Sequence, residues 1–483
     1  MKRALACAGV PIAPQRFAAC ATCALAVALL VGCAVGDDYQ RPPIESPPSF
    51  RGTTAPGASL GASDWRAVFA DPAQQALIEE ALAVNLDLQI AEARIREAQA
   101  NVVIARSGAL PNVAVALNTS PIARLPGDTL SASFLAAGLL NWEIDLWGRI
   151  RRGTEAAGGD LAAREAARDG AQVSLVAGVA GLHFDVAALR EVFARTEASA
   201  ALQADSLRLM RRRNAAGIVS AAEVRQSEAQ LAGTQARLPE LQRQLVAAEN
   251  ALALLLARPP AALDVPAPKL ALPAALPAGL PSELLDRRPD LREAEQRLLA
   301  ANARVGEAKA LMLPTLSLTG TLGRISTSLQ DLLSGATVAS LGPNAAQALY
   351  AGGSLTANRD AAIARLDQAL LVYRSTVLTA LREVSDALVA SERSGEQLEL
   401  EQVRVTAQRE ALRLADKRFT AGVVSFIEVL DAQRGLLAAE TDFVSARLAR
   451  QRALVQVYRA LGGGWLPAAG AQAQATLSAM EGK

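Results

Sequence analysis

Residue types that commonly carry catalysis or bind metals are sparse in this sequence. The single histidine, His183, lies in the apolar stretch AGLHFDVAALR without an acidic residue at metal-ligand spacing, so we interpret it as a packed core or interhelix histidine. No phosphate-binding loop is present, and the glycine-rich RALGGGW follows a predicted helix, which indicates helix termination and not nucleotide binding. We therefore predict that the protein is not an enzyme and uses no metal and no cofactor.

Asp431 and Arg434 are the charged residues whose placement suggests a specific role. They lie in TAGVVSFIEVLDAQR, which repeats the earlier AAGIVSAAEVRQSEA, yet the first copy has Gln226 and Ala229 at the matching positions. Together with Ile427 they are spaced i, i+4 and i+7, so a helix places all three on one face. From the sequence alone we favour a solvated helix face with an internal ion pair, which contributes about 0.3–0.5 kcal/mol.

The N-terminus has the character of a lipoprotein signal peptide. Three basic residues, Lys2, Arg3 and Arg16, precede an apolar stretch, FAACATCALAVALLVGC, that ends at Cys33. Its LVGC end resembles a lipobox, in which cleavage leaves Cys33 to carry N-acyl and diacylglycerol lipid; a free or buried thiol is the alternative. Cleavage would remove the other three cysteines and leave no disulfide partner. Ala34 favours outer-membrane sorting. We assign 1–32 to the signal peptide and 33–70 to a lipidated tether.

The composition is typical of a helical protein and argues against a nucleic-acid partner. Aromatic residues make up only 4% of the 483 residues, and long runs rich in Ala, Leu, Gln, Glu and Arg are typical of helices and coiled coils. The formal net charge is +1, from 49 basic and 48 acidic residues, and no basic run is interleaved with aromatic residues. A nucleic-acid partner is therefore not expected.

Two helical hairpins are predicted, one in each half of the chain. Residues 354–418 contain no proline and place apolar residues at steps of three and four, which is typical of a coiled-coil seam. A continuous helix of this length would extend on the order of 95 Å. The corresponding stretch of the first half has the same pattern. Each long helix then meets an Ala-Gly segment, in which Gly217 or Gly422 can end the helix through a positive φ and Ser220 or Ser425 can cap the next.

The two halves share one plan. Besides the hairpin segment, EARIREAQANVVIARSGALP in the first half matches EQRLLAANARVGEAKALMLP in the second. We predict shorter helices at 72–107 and 282–312 and return helices at about 221–257 and 426–461. The chain is divided into a first repeat at 71–260, with a hairpin tip at about 214–220, a proline-rich linker at 261–281, a second repeat at 282–465, with a tip at about 419–425, and a C-terminal tail at 466–483.

Between the shorter and the long helix of each half, the apolar period changes from 3.6 to 2. PTLSLTGTL alternates leucine with serine or threonine, and NVAVALN alternates similarly, so we predict β-hairpins at about 112–140 and 315–342. Such alternation is typical of a membrane β-barrel, although a half-buried soluble sheet is its commoner source. The export signal and lipid anchor favour the barrel. Because a barrel needs about eight strands, four membrane strands would require oligomerisation.

Several stretches resemble the TolC-like outer membrane factors of tripartite efflux systems, specifically the lipoprotein branch that includes OprM and the NodT-like proteins. The resemblance covers nearly the whole mature chain. It rests on GCAVGDDYQRP, FADPAQQALIEEALAVNLDLQIAEARIREA, NWEIDLWGR, GLPSELLDRRPDLREAEQRLLAANARVGEAKA, FTAGVVSFIEVLDAQR and YRALGGGW. The chain departs from the family at Asp37, where proline is usual, and in a short first-half strand region that lacks the usual aromatic residues.

The resemblance implies a mainly α fold with a β-barrel part and a two-fold internal repeat. Three identical chains are expected to contribute four strands each to a twelve-stranded outer-membrane barrel, which long helical hairpins continue as a periplasmic α-barrel. The implied function is a passive exit duct for drugs or other small molecules in a Gram-negative bacterium. Its implied partners are a periplasmic membrane-fusion adaptor, an inner-membrane pump of the RND type and outer-membrane lipid. A non-conducting coiled-coil scaffold lipoprotein and the exit duct of a type I protein-secretion system are the alternatives.

The resemblance also implies roles for the hairpin tips. VLDAQR matches the family positions that constrict the periplasmic aperture, so Ile427, Asp431 and Arg434 are expected to form a gate. In a trimer, the acidic residues would form a ring that favours cations. The adaptor is expected to dock on the repeated tip residues, which are Gly217, Val219, Ser220, Gly422, Val424 and Ser425.

Overall fold

The computed structural model describes residues 35–44, 47–52, 59–122, 131–268, 277–279 and 281–463. The predicted signal peptide, Cys33 and the C-terminal tail lie outside the described residues and stay predictions. The described chain forms two compact units. Unit 1 draws on Met1–Pro42, Arg96–Ala162 and Glu295–Val372, and unit 2 draws on Pro43–Ile95, Ala163–Ala294 and Tyr373–Lys483.

Helices dominate the structure, and four strands form its sheet. The longer helices are α1 Pro72–Val84, α2 Leu86–Ser107, α3 Arg149–Ala215, α4 Ala221–Gln235, α5 Leu238–Leu255, α6 Pro289–Ala310, α7 Ser354–Thr420 and α8 Phe426–Ala460. The strands are β1 Asn112–Ile122, β2 Ser131–Ile144, β3 Thr315–Ser326 and β4 Ala336–Ala346. Single helical turns occur at Trp65–Val68 and Leu284–Arg287.

The two-fold repeat is visible in the order of elements. In each half, a helix of 22 residues leads into a β-hairpin, which is followed by a helix of 67 residues and then by a return segment. The long helices α3 and α7 therefore have equal length, and each ends at one of the predicted Ala-Gly segments. Equal length keeps the two tips at matching positions in their repeats.

Three predicted helices are broken in the structure. The helix expected at 282–312 divides at Arg288 into the turn Leu284–Arg287 and α6, because Pro289 disfavours a helical backbone at the residue before it. The first return segment was expected to be one helix at about 221–257, but it divides into α4 and α5. Pro239 is the physical reason, because it lacks the N–H that would bond to Gln235 and continue the helix. The helix expected at 72–107 divides at Asn85, whose side-chain oxygen accepts from the amide of Leu88 at 3.2 Å and caps α2. All three predictions of a continuous helix were wrong.

The four strands form one antiparallel sheet in the order β1-β2-β3-β4. The central pair, β2 and β3, joins the two halves of the chain, with Asn141 opposite Thr319 and Gly138 opposite Leu322. The strands extend beyond the hairpins predicted at about 112–140 and 315–342: β2 ends at Ile144 and β4 at Ala346. Strands β1 and β4 remain at the edges of the sheet.

The N-terminal segment of unit 1 is held against the start of α3. The amide of Val35 donates to the carbonyl of Trp147 at 3.0 Å. The buried Arg152 donates to Asp38 at 2.8 Å and to the carbonyl of Gly36 at 3.1 Å. Arg41 makes two hydrogen bonds of 2.6 Å to Glu295. Charge-assisted bonds of this kind fix the path of the chain that follows Cys33.

An extended segment after α5 is held against α3 in unit 2. His183 is buried, and its Nε2 lies 2.8 Å from the carbonyl oxygen of Pro266, which requires the Nε2–H tautomer. Arg190 donates to the carbonyl oxygens of Val265 and Leu263 and to Glu249. These bonds replace the regular hydrogen bonding that a proline-rich segment lacks.

Within the described residues, α3 is the one helix long and apolar enough to cross a membrane by length and composition. Of its most apolar window, 56% is buried inside the protein. That degree of burial is typical of a core helix, and we describe α3 as one.

Folding stability is expected to fall as the pH drops below about 6.5. Burial lowers the pKa of His183, so the folded state keeps the imidazole neutral while the unfolded chain takes up a proton below its own pKa. The stabilisation is therefore fully present above the unfolded pKa and is lost progressively as the pH falls from that value through the lower pKa of the folded state. Thermal unfolding of the purified protein at pH 7.5 and 5.5 measures the effect.

His183→Gln provides the control for this pH dependence. The chain has only one histidine, so the variant should lose most of the change in Tm between the two pH values. An unchanged pH dependence in the variant would assign the effect to other groups.

Candidate functional site

The two hairpin tips have the same backbone geometry. Gly217 and Gly422 both have φ of 74°, the left-handed region that glycine adopts without strain. At each tip the next residue, Ile218 or Val423, donates its amide to the carbonyl five residues earlier at 2.9 Å. These bonds close the helix end in the pattern typical of a glycine C-cap. The prediction that glycine ends both long helices through a positive φ is confirmed.

The serines after the two glycines differ in their hydrogen bonding. Ser220 forms a reciprocal capping box with Glu223, in which its backbone amide donates to the carboxylate at 2.8 Å. Ser425 occupies the same position before α8, but its side chain makes no capping bond. Glu428, which matches Glu223 in the repeat, instead accepts from Arg418 at 3.2 Å. The prediction that either serine can cap the next helix is therefore correct only for Ser220.

The exposed apolar residues of the tips are not the valines that the repeat suggested. Val219 and Val424 are half-buried, and Val219 packs against an apolar cluster. Their neighbours Ile218 and Val423 are 69% and 67% exposed. The sequence contained this signal, since both positions are apolar in the two copies of the repeat. Apolar side chains at matched and exposed tips are suited to contact with another protein.

An apolar cluster joins the two hairpins inside unit 2. It contains Met210 from α3, Ala415 from α7 and Phe426, Val429 and Leu430 from α8. Partly buried apolar residues pack against this cluster; they are Val219, Val224, Leu412, Phe419 and Ala432.

Aromatic contacts extend this cluster towards the tips. The rings of Phe419 and Phe426 have centroids 5.1 Å apart. The guanidinium of Arg213 lies 4.8 Å from the centre of the Phe419 ring. The cation–π contact joins the first tip to the second, because Arg213 belongs to α3 and Phe419 to α7.

The predicted gate residues lie together on α8. Arg434 is 3.5 Å from Asp431, and the two side chains are 69% and 66% exposed. Arg434 also donates to the side-chain oxygen of Gln230 at 3.1 Å, while the Gln230 amide donates to the carbonyl of Leu430 at 3.1 Å. The two bonds link the return segments of the two repeats, α4 and α8.

A cavity of about 550 Å³ contains all three predicted gate residues, and Ile427 lines it beside Asp431 and Arg434. Gln226 and Gln230 of α4 line the same cavity. Sequence reasoning used Gln226 only as the uncharged counterpart of Asp431 and missed Gln230. The pairing of α4 with α8 could not be read from the repeat, because it is a contact between copies and not within one.

The faces of the sheet in unit 1 differ in polarity. Directly opposed residues of antiparallel strands share a face, so Val115 of β1 and Leu322 of β3 lie on one side, with Gly138 between them. Both are largely exposed, at 84% and 67%. Asn112, Asn141 and Thr319 pair in register on the opposite side. At these positions, one face of the sheet is therefore apolar and exposed, and the other is polar.

Comparison with known proteins identifies the family. The model of the outer membrane efflux protein family matches residues 77–258 and 280–463. The chain belongs to the outer membrane efflux protein family.

Relatives and solved structures cover nearly the whole of this efflux protein. TtgC of Pseudomonas putida, an efflux pump outer membrane protein, is 34% identical over 481 residues, which cover 94% of this chain and 97% of the relative. The outer membrane protein OprJ of Pseudomonas aeruginosa is 34% identical and covers 92% and 95%. The open state of the MtrE outer membrane channel of Neisseria gonorrhoeae matches with a TM-score of 0.81 at 32% identity, over 90% of this chain and 99% of that one.

These matches confirm the fold that the resemblance implied. The efflux protein is mainly helical, contains a two-fold repeat and has one four-stranded antiparallel sheet, and its structural neighbours are outer membrane channels. In the described residues, no group of three or more His, Cys, Asp or Glu side chains could hold a metal ion.

Gly422→Ala is expected to destabilise the second tip of this efflux protein. A Cβ at this position would meet no heavy atom within 4 Å, so the cost is only that of forcing alanine to a positive φ. That cost is about 1 kcal/mol and should lower the Tm measured by circular dichroism.

Gly233→Ala is the matched control. It also adds a Cβ that meets nothing within 4 Å, but it lies inside α4. Alanine in a helix interior stabilises by about 0.5–1 kcal/mol relative to glycine, so its Tm should rise. Equal shifts in the two variants would show that φ does not decide the effect.

Proposed function

We propose that this efflux protein is the exit duct of a tripartite efflux system in the outer membrane of a Gram-negative bacterium. The four-stranded sheet carries the proposal. Its edge strands β1 and β4 have no partner strand in the described chain, and its two faces differ in polarity. Hydrocarbon cannot satisfy the backbone groups of an open edge, so strands are stable in a bilayer only in a closed barrel.

Closure of the sheet supports a homotrimer. Three copies supply twelve strands, and β4 of one copy meets β1 of the next in the antiparallel sense already present inside the chain. The face that carries Val115 and Leu322 then contacts lipid, and the face that carries Asn141 and Thr319 lines the lumen. A polar lumen holds water, through which drugs or other small molecules diffuse passively.

The helices α3 and α7 extend the duct. Both begin soon after a strand of the sheet and run for 67 residues, far more than a compact domain needs. In the trimer, they and their return segments form a periplasmic α-barrel. No energy source is required in this protein, because an inner-membrane pump, of the RND type in our proposal, supplies the driving force.

The gate of the duct is formed by Ile427, Asp431 and Arg434. An exposed ion pair like that between Asp431 and Arg434 contributes only about 0–1 kcal/mol to the stability of one chain. The more important contact is the hydrogen bond from Arg434 to Gln230, which holds α8 to α4. Three copies of these contacts close the aperture, and a partner that binds the open state more tightly shifts the equilibrium towards conduction.

That partner is a periplasmic membrane-fusion adaptor, which docks on the tips. The tips present Gly217, Ser220, Gly422 and Ser425 at matched positions, together with the exposed Ile218 and Val423. Val219 and Val424 are half-buried, so they support the conformation of the tips from inside the hairpins. Six tips in a trimer would offer the adaptor a repeating apolar surface.

Lipid on Cys33 anchors the protein at the outer membrane. The bond from the Val35 amide to the Trp147 carbonyl places the chain two residues after Cys33 beside the end of β2. That position is the base of the proposed barrel, where acyl chains would reach the inner leaflet.

Removal of the gate pair is expected to raise conductance. Asp431→Ala combined with Arg434→Ala breaks the ion pair and the bond to Gln230, so the closed state loses its links. The mean single-channel conductance in planar bilayers should increase about twofold or more, and the preference for cations should fall. Oligomeric mass in detergent, measured on the same sample, should remain that of a trimer.

Glu240→Ala with Arg243→Ala is the matched control for the gate pair. It removes another exposed i, i+3 ion pair, which lies on α5 away from the gate cavity. Conductance should be unchanged.

A monomer that never conducts while keeping its fold would overturn the exit duct and favour a helical scaffold lipoprotein.

Cys33→Ser is expected to abolish lipid attachment. Cells fed an alkyne analogue of palmitate should label the wild-type protein, and labelling should fall to background in the variant, because serine has no thiol for the lipid transfer. Cys23→Ser should keep its label, since that cysteine precedes the predicted cleavage site. Persistent labelling of Cys33→Ser would remove the anchor from the proposal.

A further inference from the structure

Helix α6, which leads into β3, packs closely on the start of α3, which follows β2. A Cβ added to Gly159 of α3 would lie 3.1 Å from the Cβ of Ala300 on α6. Beside this contact, Arg304 of α6 forms an ion pair with Asp160 of α3. Ala300 is completely buried, and Gly159 is buried as well. This face of α6 is therefore covered by α3 within one chain.

Helix α2 has the same place in the first repeat as α6 has in the second. Both helices have 22 residues, and both lead into a β-hairpin. Counted from the first residue of each helix, Glu97 corresponds to Ala300, and Asn101 corresponds to Arg304. Glu97 and Asn101 are exposed, and Ile104, on the same side of α2 as Glu97, is 67% exposed. The face of α2 that matches the covered face of α6 is therefore open in one chain.

Helix α7 corresponds to α3 in the same way, because both follow a β-hairpin and both have 67 residues. Ala364 of α7 corresponds to Gly159, and Arg365 corresponds to Asp160. Ala364 and Arg365 are both exposed. Neither Arg365 nor Glu97 makes a side-chain hydrogen bond or ion pair within the described part of the chain. The repeat thus contains two matched helix faces, one on α2 and one on α7, that the chain leaves uncovered.

Closure of the sheet brings these two faces together. Inside the chain, β2 pairs with β3, and the helices joined to these strands, α3 and α6, pack on each other. In the proposed trimer, β4 of one copy pairs with β1 of the next. Because α7 follows β4 and α2 precedes β1, the same order of elements sets α7 of one copy beside α2 of the next.

We propose that α7 of each copy packs on α2 of the next copy as α3 packs on α6 inside the chain, and that Arg365 forms an ion pair with Glu97 of the next copy. The proposal rests on the trimer of the proposed function. The contact also covers the exposed Ile104. Within the chain the acid lies on α3 and the base on α6, whereas between copies the base lies on α7 and the acid on α2.

This reversal of charge keeps the two interfaces distinct. If α2 replaced α6 on α3, Glu97 would lie beside Asp160. If α6 replaced α2 on α7, Arg304 would lie beside Arg365. Like charges oppose both exchanges, so each helix is directed to its own partner. Such discrimination matters in a chain with two similar halves, because similar elements are prone to exchange between copies.

Disulfide crosslinking tests the contact. Glu97→Cys is combined with Ala364→Cys, because the matching positions inside the chain have Cβ atoms 3.1 Å apart, near the roughly 3.8 Å of a disulfide. Oxidation of the purified protein in detergent should convert most chains to covalent trimers on denaturing gels without reductant. Gln99→Cys with Ala364→Cys is the matched control. Gln99 is exposed on another side of α2, so its crosslinking should be at least about tenfold lower.

Exchange of the charges tests the ion pair. Arg365→Glu or Glu97→Arg alone places like charges at the contact, and each should lower the temperature at which the trimer dissociates in SDS by about 5 °C or more. The combined variant restores an attractive pair and should recover most of that shift. Gln99→Arg with Asp367→Arg is the matched control. Both residues are exposed and lie two positions from the pair, on other sides of their helices, so the temperature should not change.

The outcomes separate this proposal from the exit duct. A wild-type trimer without the disulfide, or with a disulfide formed inside one chain, would overturn the contact and leave the duct intact. Single variants without effect, or a combined variant without recovery, would overturn the ion pair and leave Glu97 and Arg365 as solvated charges. A monomeric mass of the wild type in detergent would overturn the trimer and, with it, both proposals.

Discussion

The pairing of backbone amides at the edges of the sheet is the constraint on which the remaining architecture depends. Strands β1 and β4 each present one row of unpaired groups, and their sheet exposes an apolar face that water does not stabilise. In a bilayer, both the unpaired edges and the apolar face are stabilised when the sheet closes into a barrel with further copies of the chain. In the proposed trimer, the helices that follow the strands are then arranged around the same axis, so they form a tunnel without any additional structural element.

The internal repeat explains the regularity of the structure. Each copy supplies a hairpin for the sheet, a 67-residue helix and a glycine tip. Duplication alone would produce two equivalent tips. The copies differ where Asp431 and Arg434 replace Gln226 and Ala229, so only the second return helix carries the charged pair.

Polar contacts in unit 2 link helices from the two repeats. Near the tips, Arg434 and Gln230 join α8 to α4, and Arg213 stacks on Phe419. Further from the tips, Glu191 and Glu440 bring three helices together through arginines. Between these regions lies the buried Gln433, which has a partner at only one end. Hydrogen bonds and exposed ion pairs of this kind each contribute only about 0–1.5 kcal/mol, so each can separate at modest cost in free energy.

Periodicity in the sequence determined the elements of this protein. Apolar spacing of three and four predicted the long helices, alternation predicted the four strands, and the repeated Ala-Gly segment predicted the positive φ at Gly217 and Gly422, because these signals are local properties of the chain. The division of the first return segment at Pro239 is also a local signal, although the apolar period alone predicts a continuous helix there. The family resemblance was needed to favour a gate over a solvated face.

Contacts between distant segments were decided only by the tertiary structure. The link from Arg434 to Gln230, the loss of the serine cap at Ser425 to the Arg418–Glu428 pair and the burial of Val219 below Ile218 all depend on which helices meet and in what register. A repeat unit carries the same local preferences in both copies, whereas packing places the copies in different surroundings. Those surroundings determine the side-chain partners, since a hydrogen bond or ion pair requires two groups within a few ångströms, and Arg434 and Gln230 lie 204 residues apart in the sequence.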